Sequence, residues 1–382
     1  MYVWKFVLAA AVAAAGLAMQ SGDATAMVRQ YYVAADEVDW NYMPAGRDET
    51  MVMAPMRYAA FYAKSGPHVI GSVYRKAIYR EYTDATFTHL KPRAPDQAYL
   101  GILGPVLHAE VGDEIRVVFR NNGTHPYSMH PHGVFYEKAS EGSPYDDGIP
   151  DGQKGGDSVA PGNTFTYVWQ VPERAGPGPA DPSSIAWFYH SHAEDRKDVN
   201  AGLVGAIIVT RKGAARADGT PKDVDREFVA LYMAFDESQS WFLADNVKRF
   251  TTDPAHVNLL ELTPIDPDHH FDFFVGDGIG AQNFRFTING YQFSNGPKMV
   301  MKKGEHVRWY LLNLGEGLNF HTPHWHGNTV IVNGRRTDVI ALSPADMLTA
   351  DMVPDNPGVW LFHCHVSDHM DAGMVAKYEV LP

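Results

Sequence analysis

The chain has 382 residues, 45% hydrophobic, and a formal net charge of −13, which leaves room for two ordinary domains and argues against nucleic acid as a partner. Cys364 is its only cysteine, so an intrachain disulfide is excluded. Outside a cell a free thiol oxidises unless a metal holds it, which makes Cys364 a candidate ligand.

From the N-terminus, an apolar run from Phe6 to Met19 follows Lys5 and ends near Ala24-Thr25-Ala26, a small-x-small cleavage pattern. Residues 1–26 therefore read as a signal peptide, too short in its apolar part to span a bilayer, and the mature chain as exported, either periplasmic or secreted. Met51, Met53 and Met56 cluster soon after; gap-filling apolar side chains are the plain account and a copper(I) entry site the sharper one. Alternating runs follow at Glu114 to Arg120, Thr164 to Val171, Gly202 to Thr210, Glu227 to Phe235, His306 to Leu314 and Val359 to Phe362. They read as strands, and the Gly/Pro punctuation between them (Pro161-Gly162, Asn289-Gly290, Asn333-Gly334) predicts an all-β sandwich or barrel. The polar stretch 211–225 reads as a linker, giving a first domain over 27–212, a linker over 213–224 and a second domain over 225–382.

The two halves repeat. Gly104-Pro105, Gly112-Asp113 and Arg116 recur as Gly296-Pro297, Gly304-Glu305 and Arg308 at a constant offset of 192 residues. Further on, His130-Pro131-His132-Gly133 meets His324-Trp325-His326-Gly327, and Tyr189-His190-Ser191-His192 meets Phe362-His363-Cys364-His365. Each half thus contributes two H-x-H pairs. Imidazole suits copper, zinc and nickel alike, so one pair says little, but eight histidines could serve a three-metal cluster with positions left open for dioxygen. His363, Cys364, His365, His369 and Met374 lie in one short run. A thiolate, an imidazole and a thioether are the ligands of a blue-copper centre, which needs one more histidine. Side chains alternate along a strand, so Cys364 points one way and His363 and His365 the other, toward a second site. At the positions matching His321, Cys364 and Met374 the first half has Tyr127, Ser191 and Leu203, none a good soft ligand.

These four segments resemble the copper-binding motifs of the multicopper oxidase family, in particular its ceruloplasmin branch and two-domain laccases, over most of the chain after the leader. The resemblance implies two tandem cupredoxin-like Greek-key β-barrel domains. It also implies about four coppers per chain: type 1 on His321, Cys364, His369 and Met374; type 2 on His130 and His324; and a type 3 pair on His132, His190, His192, His326, His363 and His365. Single electrons from a donor would enter at the His369 edge, pass through Cys364 to His363 and His365, and reduce dioxygen to water. Protons are consumed, so a nearby carboxylate is expected as general acid, with Glu141 first and Asp147 and Asp151 behind it.

In ceruloplasmin-type ferroxidases an acidic and histidine cluster stands beside the type 1 site. Asp368 matches one member, but Ala281 and Phe286 stand where that family carries a Glu and a His, with Asp351 as a substitute carboxylate. The expected donor is accordingly a phenol or aromatic amine, as in laccases, with a metallo-oxidase of ferrous or cuprous ion as the alternative. A copper nitrite reductase fits less well, because it needs one further copper on three histidines and carries its type 1 site in the first domain; a non-catalytic copper-binding protein is the remaining rival. His68, His89, His108, His125, His256, His269, His270 and His306 lie outside any motif and read as surface or capped residues. Two-domain relatives assemble as rings of three with clusters between subunits, so a homotrimer is expected.

Overall fold

The computed structural model describes residues 26–50, 58–257, 282–315 and 320–382. The leader through residue 25, the methionine cluster, Ala281, His269 and His270 lie outside these residues. In the first half the strands are β1 (Val28–Asn41), β2 (Val73–Glu81), β3 (Leu107–Glu110), β4 (Glu114–Asn121), β5 (His130–Pro131), β6 (Phe135–Tyr136), β7 (Thr164–Gln170), β8 (Ser184–His190) and β9 (Val204–Thr210). In the second they are β10 (Arg226–Asp236), β11 (Phe284–Ile288), β12 (Met299–Lys302), β13 (Val307–Asn313), β14 (Pro323–Trp325), β15 (Val330–Val332), β16 (Arg335–Thr337), β17 (Met347–Met352), β18 (Gly358–Cys364) and β19 (Val375–Leu381).

The first half forms two sheets, ordered β2-β1-β4-β7-β6 and β3-β9-β8-β5, and the second repeats the order as β11-β10-β13-β17-β15-β16 and β12-β19-β18-β14. Pairing directions repeat too: β1 with β4 and β10 with β13 are parallel, as are β3 with β9 and β12 with β19. The repeat seen in sequence is therefore a repeat of topology.

Alternation explains the strands that have one wet face. In β4 Ile115, Val117 and Phe119 are fully buried while Glu114, Arg116 and Arg120 are not. Its counterpart β13 is buried at every residue, because the first half covers its other face. Ser184 Oγ of β8 lies 2.7 Å from Tyr310 Oη, and Arg308 Nη1 donates to Ser184 Oγ at 2.8 Å. One apolar core runs across both halves, joining Tyr42, Ile78, Phe188 and Val204 to Leu231, Trp309 and Phe362. The stretch 211–225 is pinned rather than free: Ala215 N donates to Glu110 Oε1 at 3.0 Å, and Thr210 Oγ1 to the Gly219 carbonyl at 2.9 Å.

Each H-x-H turn is held against an indole. At Gly133 (φ +73°) an added Cβ would come within 2.1 Å of the Trp187 ring, and at Gly327 (φ +72°) within 2.6 Å of the Trp360 ring. Both positions need glycine for conformation and for space. Among the described residues no helix is long and apolar enough to cross a membrane.

Between the halves lies a buried ion pair. Lys76 and Glu237 are both fully buried, and Lys76 Nζ donates to Glu237 and, at 2.6 Å, to the Asn200 carbonyl. The Lys76 ammonium also stands 4.4 Å from the Phe235 ring centroid, and Tyr42 donates to the same carboxylate. Replacing one partner leaves the other charge uncompensated in the interior. Lys76→Met is therefore expected to destabilise the protein by roughly 3–5 kcal/mol, and Lys76→Met combined with Glu237→Leu by markedly less, as read from urea unfolding midpoints.

Candidate metal centres

Register builds both sites. In β14 and β18, Pro323 pairs with Cys364, His324 with His363 and Trp325 with Phe362. In the first half β5 and β8 repeat this, with His130 opposite His190. Antiparallel partners point to the same face, so each register brings two H-x-H pairs together.

The cysteine faces away from its neighbours in sequence. Cys364 Sγ lies 3.9 Å from His321 Nδ1 and 3.6 Å from His369 Nδ1, and the two Nδ1 atoms are 3.1 Å apart. Cys364, His321 and Met374 are fully buried. Thr322 N–H donates to the sulfur at 3.3 Å, and Cys364 N to the Met374 carbonyl at 3.1 Å. On the opposite face His363 Nε2 is 2.9 Å from His326 Nε2 and 3.2 Å from His324 Nδ1, and the His365 ring lies tilted 5.1 Å from that of His324. The first half holds His130, His132, His190 and His192 with ring centroids 5.3–5.5 Å apart in successive pairs, and His132 Nε2 lies 3.2 Å from His190 Nε2.

The donor atoms fit a cation. His363 Nδ1 donates to the Cys364 carbonyl at 2.8 Å, which fixes the proton there and leaves Nε2 with a bare lone pair aimed at another imidazole nitrogen. His130 Nδ1 is likewise tied to the Glu141 carbonyl at 2.7 Å. A bare nitrogen facing a second imidazole nitrogen can share a proton with it or a cation, and tethering of the far nitrogen is how proteins orient metal-binding histidines. His321, Cys364 and His369 also bring their donor atoms within 4.8 Å of one another, while His321 Nε2, the far nitrogen, is buried without a partner.

Burial also sets the protonation states. It pushes His130 and His363 down to about 4, His132 to about 3 and His369 to about 4, so these rings are neutral and ready to ligate at neutral pH. Burial pushes the Cys364 thiol up, so only a metal in place of the proton makes it a thiolate here.

The expected proton donors are placed differently from one another. The Glu141 carboxylate is taken by Lys138 at 2.6 Å and Tyr145 at 3.0 Å, and it is the Glu141 backbone that touches the histidines. Asp147 pairs with Lys154 at 3.1 Å. Two carboxylates that sequence reasoning passed over come closer: Asp195 Oδ1 lies 3.1 Å from His190 Nδ1, and Asp338 Oδ2 lies 3.7 Å from His324 Nε2. Asp195 stands three residues after His192, a spacing that could have marked it. Asp351 is committed to Arg308 at 2.7 and 3.0 Å. Phe286 lies on the Cys364 side, its ring stacked on His369 at 4.5 Å and 29°. Several histidines outside the motifs have ordinary partners: His108 with Glu227, His256 with Asp253, His306 with the Asp223 carbonyl, and His125 stacked on Trp241.

Fold and site together define a class, an all-β metalloprotein with a cysteine-containing soft-ligand site one peptide unit from a histidine set. Models of the multicopper oxidase family match residues 100–214 and 252–382, and the chain belongs to that family. The chain is 41% identical to "Ferroxidase HEPHL1" of Homo sapiens over 94% of its own length and 30% of that protein's. It is 40% identical to "Ceruloplasmin" of Homo sapiens over 92% of its length and 32% of the relative's. It thus spans about a third of these relatives. A solved structure titled "Crystal structure of multicopper oxidase" superposes with a TM-score of 0.55 at 22% identity, covering 92% of this chain and 89% of that one, and shows the shared cupredoxin-type fold. Family membership implies copper.

Two outcomes are expected. In the metal-free protein the folded-state values near 4 lie below the unfolded 6.5, so protonation favours unfolding as pH falls from 6.5 toward 4. The melting temperature of the metal-free chain should drop across that window in calorimetry, and less so after copper loading. Cys364→Ser should abolish the blue absorbance and all turnover while copper on the histidine sets, counted by atomic absorption, is retained.

Proposed function

We propose that the chain oxidises a low-valent metal ion, ferrous or cuprous, one electron at a time and uses the electrons to reduce dioxygen to water. His321, Cys364, His369 and Met374 would hold type 1 copper, His130 and His324 type 2, and His132, His190, His192, His326, His363 and His365 the type 3 pair. Bound copper supplies reversible one-electron redox chemistry and, at the histidine sets, four-electron reduction of dioxygen. The observation that carries the reading is the single peptide unit joining Cys364, which faces one ligand set, to His363, which faces the other.

The chain's own residues do the rest. Thr322 N–H shares the charge of the sulfur and so tunes its site. The Cys364 and Glu141 carbonyls hold protons on His363 and His130 at Nδ1, and Asp195 adds a carboxylate beside His190. Asp195, rather than the Glu141 carboxylate that Lys138 and Tyr145 hold, is thus the group placed to relay the protons that water formation consumes.

The donor is read from the relatives' names and from Asp368, an exposed carboxylate one residue before His369 that suits a cation. A second reading, a phenol or aromatic amine, is favoured by Phe286, whose apolar ring stands against His369 where the ferroxidase pattern has a ligand. Asp368→Asn should lower kcat/KM for ferrous ion by about tenfold and leave a phenol nearly unchanged; equal effects on both, or the reverse, would favour the phenol reading.

Ligand supply bears on assembly. Each half brings its own four histidines together, and one cluster using all eight is supplied if the first half of one copy meets the second half of another. Three chains of this length approximate one of the relatives, which supports a homotrimer with three intersubunit clusters. Sedimentation is expected to give a trimer, and a fully active monomer would refute it. Export through the leader belongs to the same proposal.

A further inference from the structure

The first half has a pocket where the second half has its cysteine site, and other chemistry fills it. Ser191 stands at the Cys364 position and Tyr127 at the His321 position, both fully buried. From the helix Asp195–Ala201, Asp198 turns a fully buried carboxylate into this pocket. Its Oδ2 accepts from Ser191 Oγ at 2.6 Å and Glu194 N at 2.9 Å, and its Oδ1 from Trp241 Nε1 at 2.7 Å.

From Ser191 the bonds run on to the histidines. Ser191 Oγ accepts from Ser128 N at 2.9 Å; Ser128 Oγ accepts from His192 N at 2.9 Å and donates to the Gly142 carbonyl at 2.6 Å. Gly142 lies between Glu141, whose carbonyl holds His130 Nδ1, and Ser143, whose Oγ meets His192 Nδ1 at 3.1 Å. At Gly142 an added Cβ would lie 2.3 Å from the Met129 carbonyl oxygen, so this loop rests flush on the histidine strand. Three buried links thus connect one carboxylate to two of the four ligands.

Trp241 comes from the other half. It follows β10, stacks on His125 at 4.1 Å and 14°, and carries the Lys197 ammonium 4.2 Å from its ring. A buried carboxylate is tolerated only when its oxygens are fully hydrogen-bonded. Without the indole N–H, Oδ1 loses that donor, which weakens the hold of the carboxylate on the Ser191 hydroxyl that Ser128 N–H also meets.

We infer that Asp198 is a positioning residue for the first-half histidine set, and that Trp241 makes the order of that set depend on docking of the two halves. The inference rests on the copper reading of the set for its function, but not for its geometry. The test uses the full chain with Asp198→Asn and Trp241→Phe, and with Ser191→Ala beside Ser191→Thr, which keeps the hydroxyl. In metal-free protein, hydrogen exchange at the Ser128 and His192 amides should speed up at least tenfold in Asp198→Asn and Ser191→Ala, with the β18 amides unchanged and Ser191→Thr near wild type. After copper loading, the blue absorbance should persist, since its ligands all lie in the second half. Affinity for the remaining copper should fall about ten- to a hundredfold, with altered hyperfine splitting in electron paramagnetic resonance. If Asp198→Asn fails to fold, Trp241→Phe carries the same expectation in smaller measure. Wild-type exchange and wild-type hyperfine splitting in these variants would overturn the inference. Altered exchange in a chain whose wild type binds only blue copper would uphold the positioning role and remove the copper reading of the histidine set.

Discussion

Everything at the metal centres depends on the register between β14 and β18. Strand periodicity is two, so slipping this pair by one residue would turn Cys364 toward the histidine set and His363 toward His321 and His369. The register is secured on both sides of the site: Trp325 and Phe362 pack as a fully buried aromatic pair at 5.1 Å, and His365 N bonds across to the Thr322 carbonyl, while Cys364 N ties β18 to the Met374 carbonyl beside β19. Apolar packing fixes the polar chemistry.

Both halves have this register, and they differ chiefly on one face. The histidine face is kept in both. On the other face the second half retains a sulfur, two imidazoles and a thioether, while the first half has a carboxylate, two hydroxyls and an indole supplied by its neighbour. A buried pocket without the soft ligands still holds polar groups that must be satisfied internally, and Asp198 with its three donors does this. The shared core and the Lys76–Glu237 pair keep the halves in a fixed relation, so the indole reaches its acceptor.

Much of this was legible in the sequence because it depends on short-range spacing. Alternation identified β4, β7 and β13, the fixed offset identified the repeated topology, and H-x-H with H-C-H identified which side chains share a face. What was not legible depends on contacts between residues far apart in the chain. Asp195 lies beside His190 only because a helix begins there, and the Glu141 carbonyl rather than its carboxylate reaches His130 because Lys138 and Tyr145 hold the side chain away. The stretch 211–225 has linker composition yet is folded, since composition reports solvation and not the bonds to Glu110. Phe286 was visible as a departure from a ferroxidase pattern, but its stacking on His369 required the fold.

The glycine that closes each H-x-H turn has a wider use. Gly133 and Gly327 lie flush on Trp187 and Trp360, which stand three residues before the partnering histidines His190 and His363. A bulkier residue there would act as a wedge, lifting the turn and carrying His132 or His326 outward with it. An H-x-H-G paired with a distant W-x-x-H is thus a fingerprint of geometry rather than of composition. In an unfamiliar chain it separates histidines clamped at metal-binding distance from those that merely recur.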